Sequence, residues 1–196
     1  MYDYTDAPPP QFELVPHGTI ADISFHIRPG GVGEDKLLKR SRDGGCEMLD
    51  VEFTVVDGAY AKRKFWQNFV ITGTTDGHAK AAEISRGVLK AILDCVRGLK
   101  PDDVSAQARA ARTVELKDFE GMIFTGKIGI EKGAPKNDGS GGFWDDKNIL
   151  VAVITPDKKE WHSIEQPPPF NGGGRAAASS APPESAPPVQ RPAWAS

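Results

Sequence analysis

Apolar and polar residues alternate along several stretches of the chain, which is the pattern of a β-strand with one buried face. This alternation predicts a strand over residues 18–28 and a hairpin over residues 48–69. The hairpin is predicted to turn at Gly58, because glycine adopts a positive φ at little cost. Two later stretches, residues 122–130 and 148–155, also have the length and composition of strands. The pattern therefore indicates a protein rich in β-structure.

Between the hairpin and the later strands, apolar residues recur every three or four positions, which is typical of an amphipathic helix. The helix is predicted to run from about residue 78 to residue 97. Thr75 or Asp76 precedes it as an N-cap, and Gly98 is placed to end it. Its apolar stripe predicts packing against a sheet, so the fold class is α+β.

The two ends of the chain differ in composition from its middle. Residues 1–17 are rich in proline and acidic side chains and are predicted to form an extended N-terminal arm. Residues 166–196 are mainly proline, glycine, alanine and serine, which bury too little apolar surface to offset the entropy of ordering, so this tail is predicted to be disordered. Residues 18–165 between them are predicted to form one globular domain.

Charge and cysteine content narrow the class of protein. The formal net charge of −3 at pH 7 argues against a bulk cationic DNA binder, but it leaves room for a local basic groove. The two cysteines, Cys46 and Cys95, lack the spacing of a zinc site. The N-terminus lacks the features of a secretory signal, and no apolar run approaches the roughly 20 residues of a membrane-spanning helix. We therefore expect a cytoplasmic protein.

No motif of a nucleophilic, metal-dependent or nucleotide-dependent enzyme is recognisable in the sequence. The glycine-rich segment at residues 29–33 lacks the spacing of a phosphate-binding loop. Asp50 and Glu52 share a strand face, which is the ordinary pattern of solvent-facing carboxylates. The histidines are scattered along the chain, at His17, His26, His78 and His162. We therefore predict no catalytic residue, no metal site and no cofactor.

Basic residues occur in three segments, two of which also carry aromatic side chains. The first is a predicted basic loop at residues 36–42, the second is the return strand of the hairpin, and the third is a long glycine-rich loop at residues 132–147. Such a combination suits single-stranded nucleic acid, because cations contact the phosphates while bases stack on the rings. The candidate DNA-binding residues are Lys36, Lys39, Arg40, Arg42, Lys62, Arg63, Lys64, Trp66, Lys132, Lys136, Phe143, Trp144 and Lys147.

The aromatic residues of these segments also have a structural interpretation, which is packing in the core. Phe65 and Phe69 share one parity of the hairpin strand and are predicted to be buried. Trp66 has the opposite parity, and either interpretation fits it. Phe143 and Trp144 are flanked by glycines and aspartates and are predicted to be exposed.

The chain resembles a family of uncharacterised phage and prophage proteins in four stretches, residues 49–69, 81–92, 116–129 and 147–150. The stretches follow the order of the family, and the resemblance covers residues 18–157. Such proteins are typically encoded near phage recombination or replication genes. The resemblance implies an OB-like barrel that binds single-stranded DNA.

The residues and the resemblance together predict a β-rich α+β domain, either an OB-like barrel or a curved antiparallel sheet with one long packed helix, followed by the disordered tail. The predicted function is sequence-tolerant, non-catalytic binding of single-stranded DNA in phage or prophage replication and recombination. A recombinase, a helicase or another replication protein is a further expected partner, and homo-oligomerisation is left open. The alternative is a protein-interaction or assembly module whose aromatics belong to the core and whose proline-rich tail docks a partner.

Overall fold

The computed structural model describes residues 13–136 and 141–167, so most of the predicted arm and nearly all of the predicted tail lie outside the described residues. The strands of this part of the chain are β1 (Ile20–Ile27), β2 (Leu38–Arg40), β3 (Cys46–Val55), β4 (Lys64–Gly73), β5 (Ile123–Glu131) and β6 (Lys147–Val153). The helices are α1 (Asp76–Arg97), α2 (Ala106–Ala111) and a 3-10 helix at Leu116–Phe119.

The strands form one antiparallel sheet in which β3 is central. One edge of β3 pairs with β4, while the other pairs with β2 near its start and with β1 near its end. β5 then pairs with β1, and β6 pairs with β5. The prediction of a basic loop over residues 36–42 is therefore wrong in part, because residues 38–40 form the edge strand β2.

The sheet curls until its two outer strands, β4 and β6, lie side by side. They do not form a backbone ladder in the part of the chain that the structure describes. Instead, the Gln67 side-chain carbonyl accepts a hydrogen bond from the Leu150 amide at 3.0 Å. The prediction of a β-rich α+β fold with a curved antiparallel sheet and one long helix is confirmed, and the sheet remains open.

Helix α1 has the predicted caps. The Thr75 hydroxyl accepts a hydrogen bond from the His78 amide at 3.2 Å, and Gly98 adopts a left-handed φ of 64° that ends the helix. The helix packs against β4, β5 and β6, with Leu89 and Ile92 on its buried side. No helix within the described ranges combines the length and apolar content needed to cross a membrane.

A cluster of phenylalanine rings fills the space inside the curled sheet. Phe53 of β3 is its centre, with ring centroids 5.5 Å from Phe25, 5.1 Å from Phe65, 6.1 Å from Phe69 and 5.9 Å from Phe124. All of these rings are buried. The prediction that Phe65 and Phe69 pack in the core is therefore confirmed.

A buried ion pair fastens the end of α1 to the polar segment that follows it. Asp94 is fully buried and accepts hydrogen bonds from Arg112 Nε at 2.6 Å and from Lys90 Nζ at 2.8 Å. Arg112 also donates to the backbone carbonyls of Lys100 and Asp103. This arrangement satisfies a charge that would otherwise be costly to bury.

Both ends of the described chain pack on the sheet. Val15, within the predicted arm, is buried, and its amide and carbonyl are both hydrogen-bonded by the Asn148 side chain. Near the other end, the Trp161 indole donates to the Cys95 carbonyl at 3.1 Å. The side-chain amide of Gln166 makes two hydrogen bonds with the backbone of β5. Val15 of the predicted arm and Gln166 of the predicted tail thus contact the globular domain.

The cluster around Phe53 gives a stability prediction. The substitution Phe53→Ala should lower the free energy of unfolding by about 3–5 kcal/mol, because it removes a ring from the centre of the core and leaves a cavity. The matched control is Phe143→Ala, which removes the same ring from an exposed position and should change stability by less than about 0.5 kcal/mol. Urea denaturation of both variants measures the difference, and equal effects would contradict this account of the core.

Candidate nucleic-acid interface

The candidate interface is the outward face of β1, β3 and β4. Because side chains alternate along a strand, the residues between the core positions of β3 point away from the phenylalanine cluster. In register, Glu52 of β3 lies between His26 of β1 and Trp66 of β4. Trp66 is 48% exposed, so the alternation places its ring on the outward face rather than in the core.

A groove on this face brings together residues from all three predicted basic segments. Lys39 of β2, Trp66 of β4 and Lys147 at the start of β6 line it, and its volume is about 460 Å³. Asp50 also lines it, near the centre of the sheet. We call this feature the central groove. Residues separated by more than a hundred positions in sequence thus contribute to one surface.

A second depression adjoins the central groove at Arg28, which lines both. It contains Lys64 and a polar pair in which His26 Nδ1 lies 2.8 Å from Glu120 Oε1. The other oxygen of Glu120 accepts a hydrogen bond from the Ile27 amide at 2.7 Å. Arg28 was not among the predicted DNA-binding residues, although it follows the end of β1 with the same parity as His26.

Several of the predicted cations lie beside carboxylates instead of standing alone. Acidic residues on the same face or in the same loop provide the partners. The N–O distances are 3.3 Å for Lys39–Asp50, 2.8 Å for Arg40–Glu47, 2.5 Å for Lys64–Glu52, 2.6 Å for Lys132–Asp146 and 3.1 Å for Lys147–Glu131. Lys132–Asp146 and Lys147–Glu131 are the most exposed of these pairs, and exposed pairs contribute only about 0–1 kcal/mol each. A phosphate can therefore replace the carboxylate in these two pairs at small cost, whereas Asp50 and Glu52 are only 12% and 21% exposed.

Glu52 is the most strongly held of the carboxylates on the outward face. Lys64 Nζ lies 2.5 Å from one of its oxygens, and the Trp66 indole N–H donates to the other at 3.1 Å. The hydrogen bond from Lys64, with a smaller effect from Trp66, lowers the pKa of Glu52 below its ordinary value of 4.5. Glu52 is therefore ionised at neutral pH, and it fixes the position of the Trp66 ring.

The remaining predicted cations lie at the two ends of β3 and outside the central groove. Arg42 follows β2, close to the start of β3, and Lys62 and Arg63 lie in the turn after its end. Gly58 has the predicted positive φ, at 76°, and Lys62 has a left-handed φ of 68°. Lys36 is left-handed as well, with φ of 58°. None of Lys36, Arg42, Lys62 and Arg63 lines the central groove.

The loop between β5 and β6 carries the predicted exposed aromatics. Phe143 and Trp144 are 65% and 63% exposed, which confirms that prediction. Lys136 Nζ lies 5.2 Å from the centroid of the Trp144 ring, a cation–π contact. Residues 137–140, at the tip of this loop, lie outside the described residues. Lys136, Phe143 and Trp144 do not line the central groove, whereas Lys147, where β6 begins after this loop, does.

Residues 13–136 and 141–167 contain no group of three or more histidine, cysteine, aspartate or glutamate side chains arranged to hold a metal ion. Cys46 and Cys95 are both buried free thiols. Burial raises the pKa of the Cys95 thiol, so this sulfur is a poor nucleophile at neutral pH. The groups of the outward face that bear on function are therefore its cations, carboxylates and exposed rings.

Comparisons of the chain with protein-family models, with curated proteins and with solved structures find no match. The resemblance to phage and prophage proteins therefore stays a prediction, and so does the function it implies. What can be argued about function depends on the geometry of the outward face.

The contact between Lys64 and Glu52 gives a prediction for titration. Lys64→Met should raise the pKa of Glu52 toward 4.5, because the hydrogen bond and positive charge that lower it are lost. Since the folded-state pKa is lowered, the stabilisation from this pair is present above pH 4.5 and disappears as the pH falls through the folded-state pKa. Carbon-13 NMR of the glutamate carboxyls measures the shift.

The control for this titration is Lys80→Met on the exposed side of α1, which should leave the Glu52 titration unchanged. A wild-type Glu52 that titrates at its ordinary value, or one that does not respond to Lys64→Met, would show that the contact is not maintained in solution.

Proposed function

We propose that this protein binds single-stranded DNA across the outward face of β3 and β4, with little dependence on sequence and without catalysis. The supporting observation is the central groove, in which Lys39, Trp66 and Lys147 come together from three separate segments. In line with the family resemblance, the proposed setting is phage or prophage replication and recombination in the cytoplasm of the bacterial host.

The order of the strands supports this choice of face. Without the short strand β2, the strands in chain order are β1, β3, β4, β5 and β6, and helix α1 lies between the third and the fourth. In OB folds, oligonucleotides bind on the face of the second and third strands and to the loops after the first and fourth strands. Here these features are the face of β3 and β4, the segment that contains β2, and the loop that carries Trp144.

The chemistry of the face suits a single strand more than a duplex. Exposed rings at Trp66, Phe143 and Trp144 offer stacking surfaces, and each stacked base contributes roughly 1–3 kcal/mol whatever its identity. Such stacking requires unpaired bases. The cations around the groove supply contacts to phosphates, whose number sets the dependence of affinity on salt.

The alternative, a protein-interaction or assembly module, requires the aromatic residues to belong to the core. Phe65 and Phe69 do, but Trp66, Phe143 and Trp144 are exposed. The tail that would dock a partner lies outside the described residues. We therefore retain single-stranded DNA binding as the proposed function.

The first test addresses stacking on Trp66. Trp66→Ala should weaken binding of a fluorescein-labelled single-stranded oligonucleotide by roughly 5-fold to 150-fold, which corresponds to about 1–3 kcal/mol for one stacked base. Trp66→Phe is the matched control, because phenylalanine keeps a ring to stack on and should retain most of the affinity. Fluorescence anisotropy at low salt measures both. Equal losses in the two variants would exclude stacking as the role of this residue.

The second test addresses the phosphate contacts. The double variant Lys39→Ala/Lys147→Ala should reduce the slope of log affinity against log salt by about 1.4, since each lost contact with a single strand removes about 0.7. The control double variant, Lys80→Ala/Lys100→Ala, removes one exposed cation on α1 and one that follows its end, and it should leave the slope unchanged. Absence of wild-type binding at low salt would contradict the proposed function itself.

A further inference from the structure

Charges on the outward face are segregated by depth. The side chains of Asp50 and Glu52, on the central strand β3, are only 12% and 21% exposed. Their cationic partners reach in from neighbouring segments and are about half exposed: 53% for Arg28, 49% for Lys39 and 51% for Lys64. The face therefore has a negative floor, formed by the two carboxylates, and rims that carry mainly cations, with Glu131 as an exposed carboxylate beside Lys147.

This segregation determines which side of a bound strand faces the protein. A phosphate on the floor would meet the carboxylates of Asp50 and Glu52 at short range, whereas a phosphate at the rims would meet the exposed ends of Lys39 and Lys64. The bases are then directed to the floor. Trp66 is directly opposite Glu52 in the register of β3 and β4, so a base stacked on its ring would lie beside that carboxylate.

We propose that the single strand binds with its bases toward this floor, and that Asp50 and Glu52 favour bases that carry an exocyclic amino group over thymine and uracil. The inference rests on the proposed function and adds a preference to otherwise sequence-tolerant binding.

The preference follows from the hydrogen-bonding capacity of the carboxylates. An ionised carboxylate only accepts hydrogen bonds, and it has about four lone-pair sites. Glu52 uses two of them, for Lys64 and Trp66. Asp50 accepts from Lys39 at 3.3 Å, while Arg28 is 3.7 Å away and outside hydrogen-bonding distance. Both carboxylates can therefore accept a further donor from a base.

Bases differ in what they offer to such an acceptor. Cytosine presents the N4 amino group, with which aspartate and glutamate pair in nucleic-acid recognition, and adenine presents the N6 amino group. Thymine presents the O4 carbonyl at the corresponding position, whose negative end is repelled by a carboxylate. Its one donor on this edge is N3–H, against the two amino protons of cytosine or adenine. The floor therefore attracts amino-bearing bases and disfavours thymine.

The test compares two oligonucleotides of equal length, one of 5-methyldeoxycytidine and one of thymidine. Both bases carry the same methyl group, so they differ at the 4-position amino or carbonyl group and in the adjacent N3 proton. At pH 8 and fixed salt, wild-type protein should bind the 5-methylcytosine strand about tenfold more tightly, within the range expected for one good base contact. Fluorescence anisotropy measures the ratio of the two dissociation constants.

Glu52→Gln carries the test on the protein side. Glutamine keeps the size of the side chain but adds an amide donor and removes the charge, so the ratio should fall to about twofold or less and the thymidine strand should bind more tightly. The matched control is Glu47→Gln, also on β3 and also ion-paired, but lining neither the central groove nor the second depression, which Glu52 lines. It should preserve the ratio. Asp50→Asn, whose folding is checked by circular dichroism, tests the other carboxylate by the same ratio of dissociation constants.

The outcomes separate this inference from the proposed function. Wild-type protein that binds neither strand at low salt contradicts both. Equal binding of the two strands leaves single-stranded DNA binding intact and overturns the preference. If the preference persists unchanged in both Glu52→Gln and Asp50→Asn, the preference arises from other groups. That result overturns the proposal that these two carboxylates select the base.

Discussion

The structure depends on the register of β3, which pairs with β1, β2 and β4. Every second residue of this strand packs among the phenylalanine rings around Phe53, and the residues between them form the outward face. A slip by one residue would put Glu52 into the core and Phe53 into water, so the buried rings hold the register firmly. The same constraint places Trp66 outside, since β4 is paired to β3 with Glu52 opposite Trp66. The core thus determines which side chains the candidate interface presents.

The interface that results is not simply basic. The carboxylates of Asp50 and Glu52 lie low on the face, and half-exposed cations surround them. At the net charge of −3, the protein has no excess of cations to hold DNA by bulk attraction. Binding on this face would depend on local contacts, in which phosphates meet the half-exposed cations at the rims while bases occupy the floor. This arrangement explains how acidic residues can belong to a nucleic-acid interface.

Sequence patterns were sufficient for most local features of the fold. Alternation located the strands to within a few residues, the helical period with Thr75 and Gly98 located α1, and parity identified Phe65 and Phe69 as core residues. Parity left the position of Trp66 open, and the structure exposes it. Contacts between distant segments could not be predicted, because nothing local encodes them. The docking of Val15 on Asn148, the approach of β4 to β6 and the short strand β2 belong to this group. The pairing of Lys39 with Asp50 does as well, so the candidate cations were identified without their partners.

The central claim is that the outward face of β3 and β4 binds single-stranded DNA. Its most direct test is an amide chemical-shift titration of nitrogen-15-labelled protein with a short single-stranded oligonucleotide at low salt. The account predicts shifts along the outward positions of β3 and β4, at the Trp66 indole N–H, and in the segments around Lys39 and Trp144, with α1 unaffected. Shifts confined to α1 and the polar segment after it, or none at low salt, would contradict it.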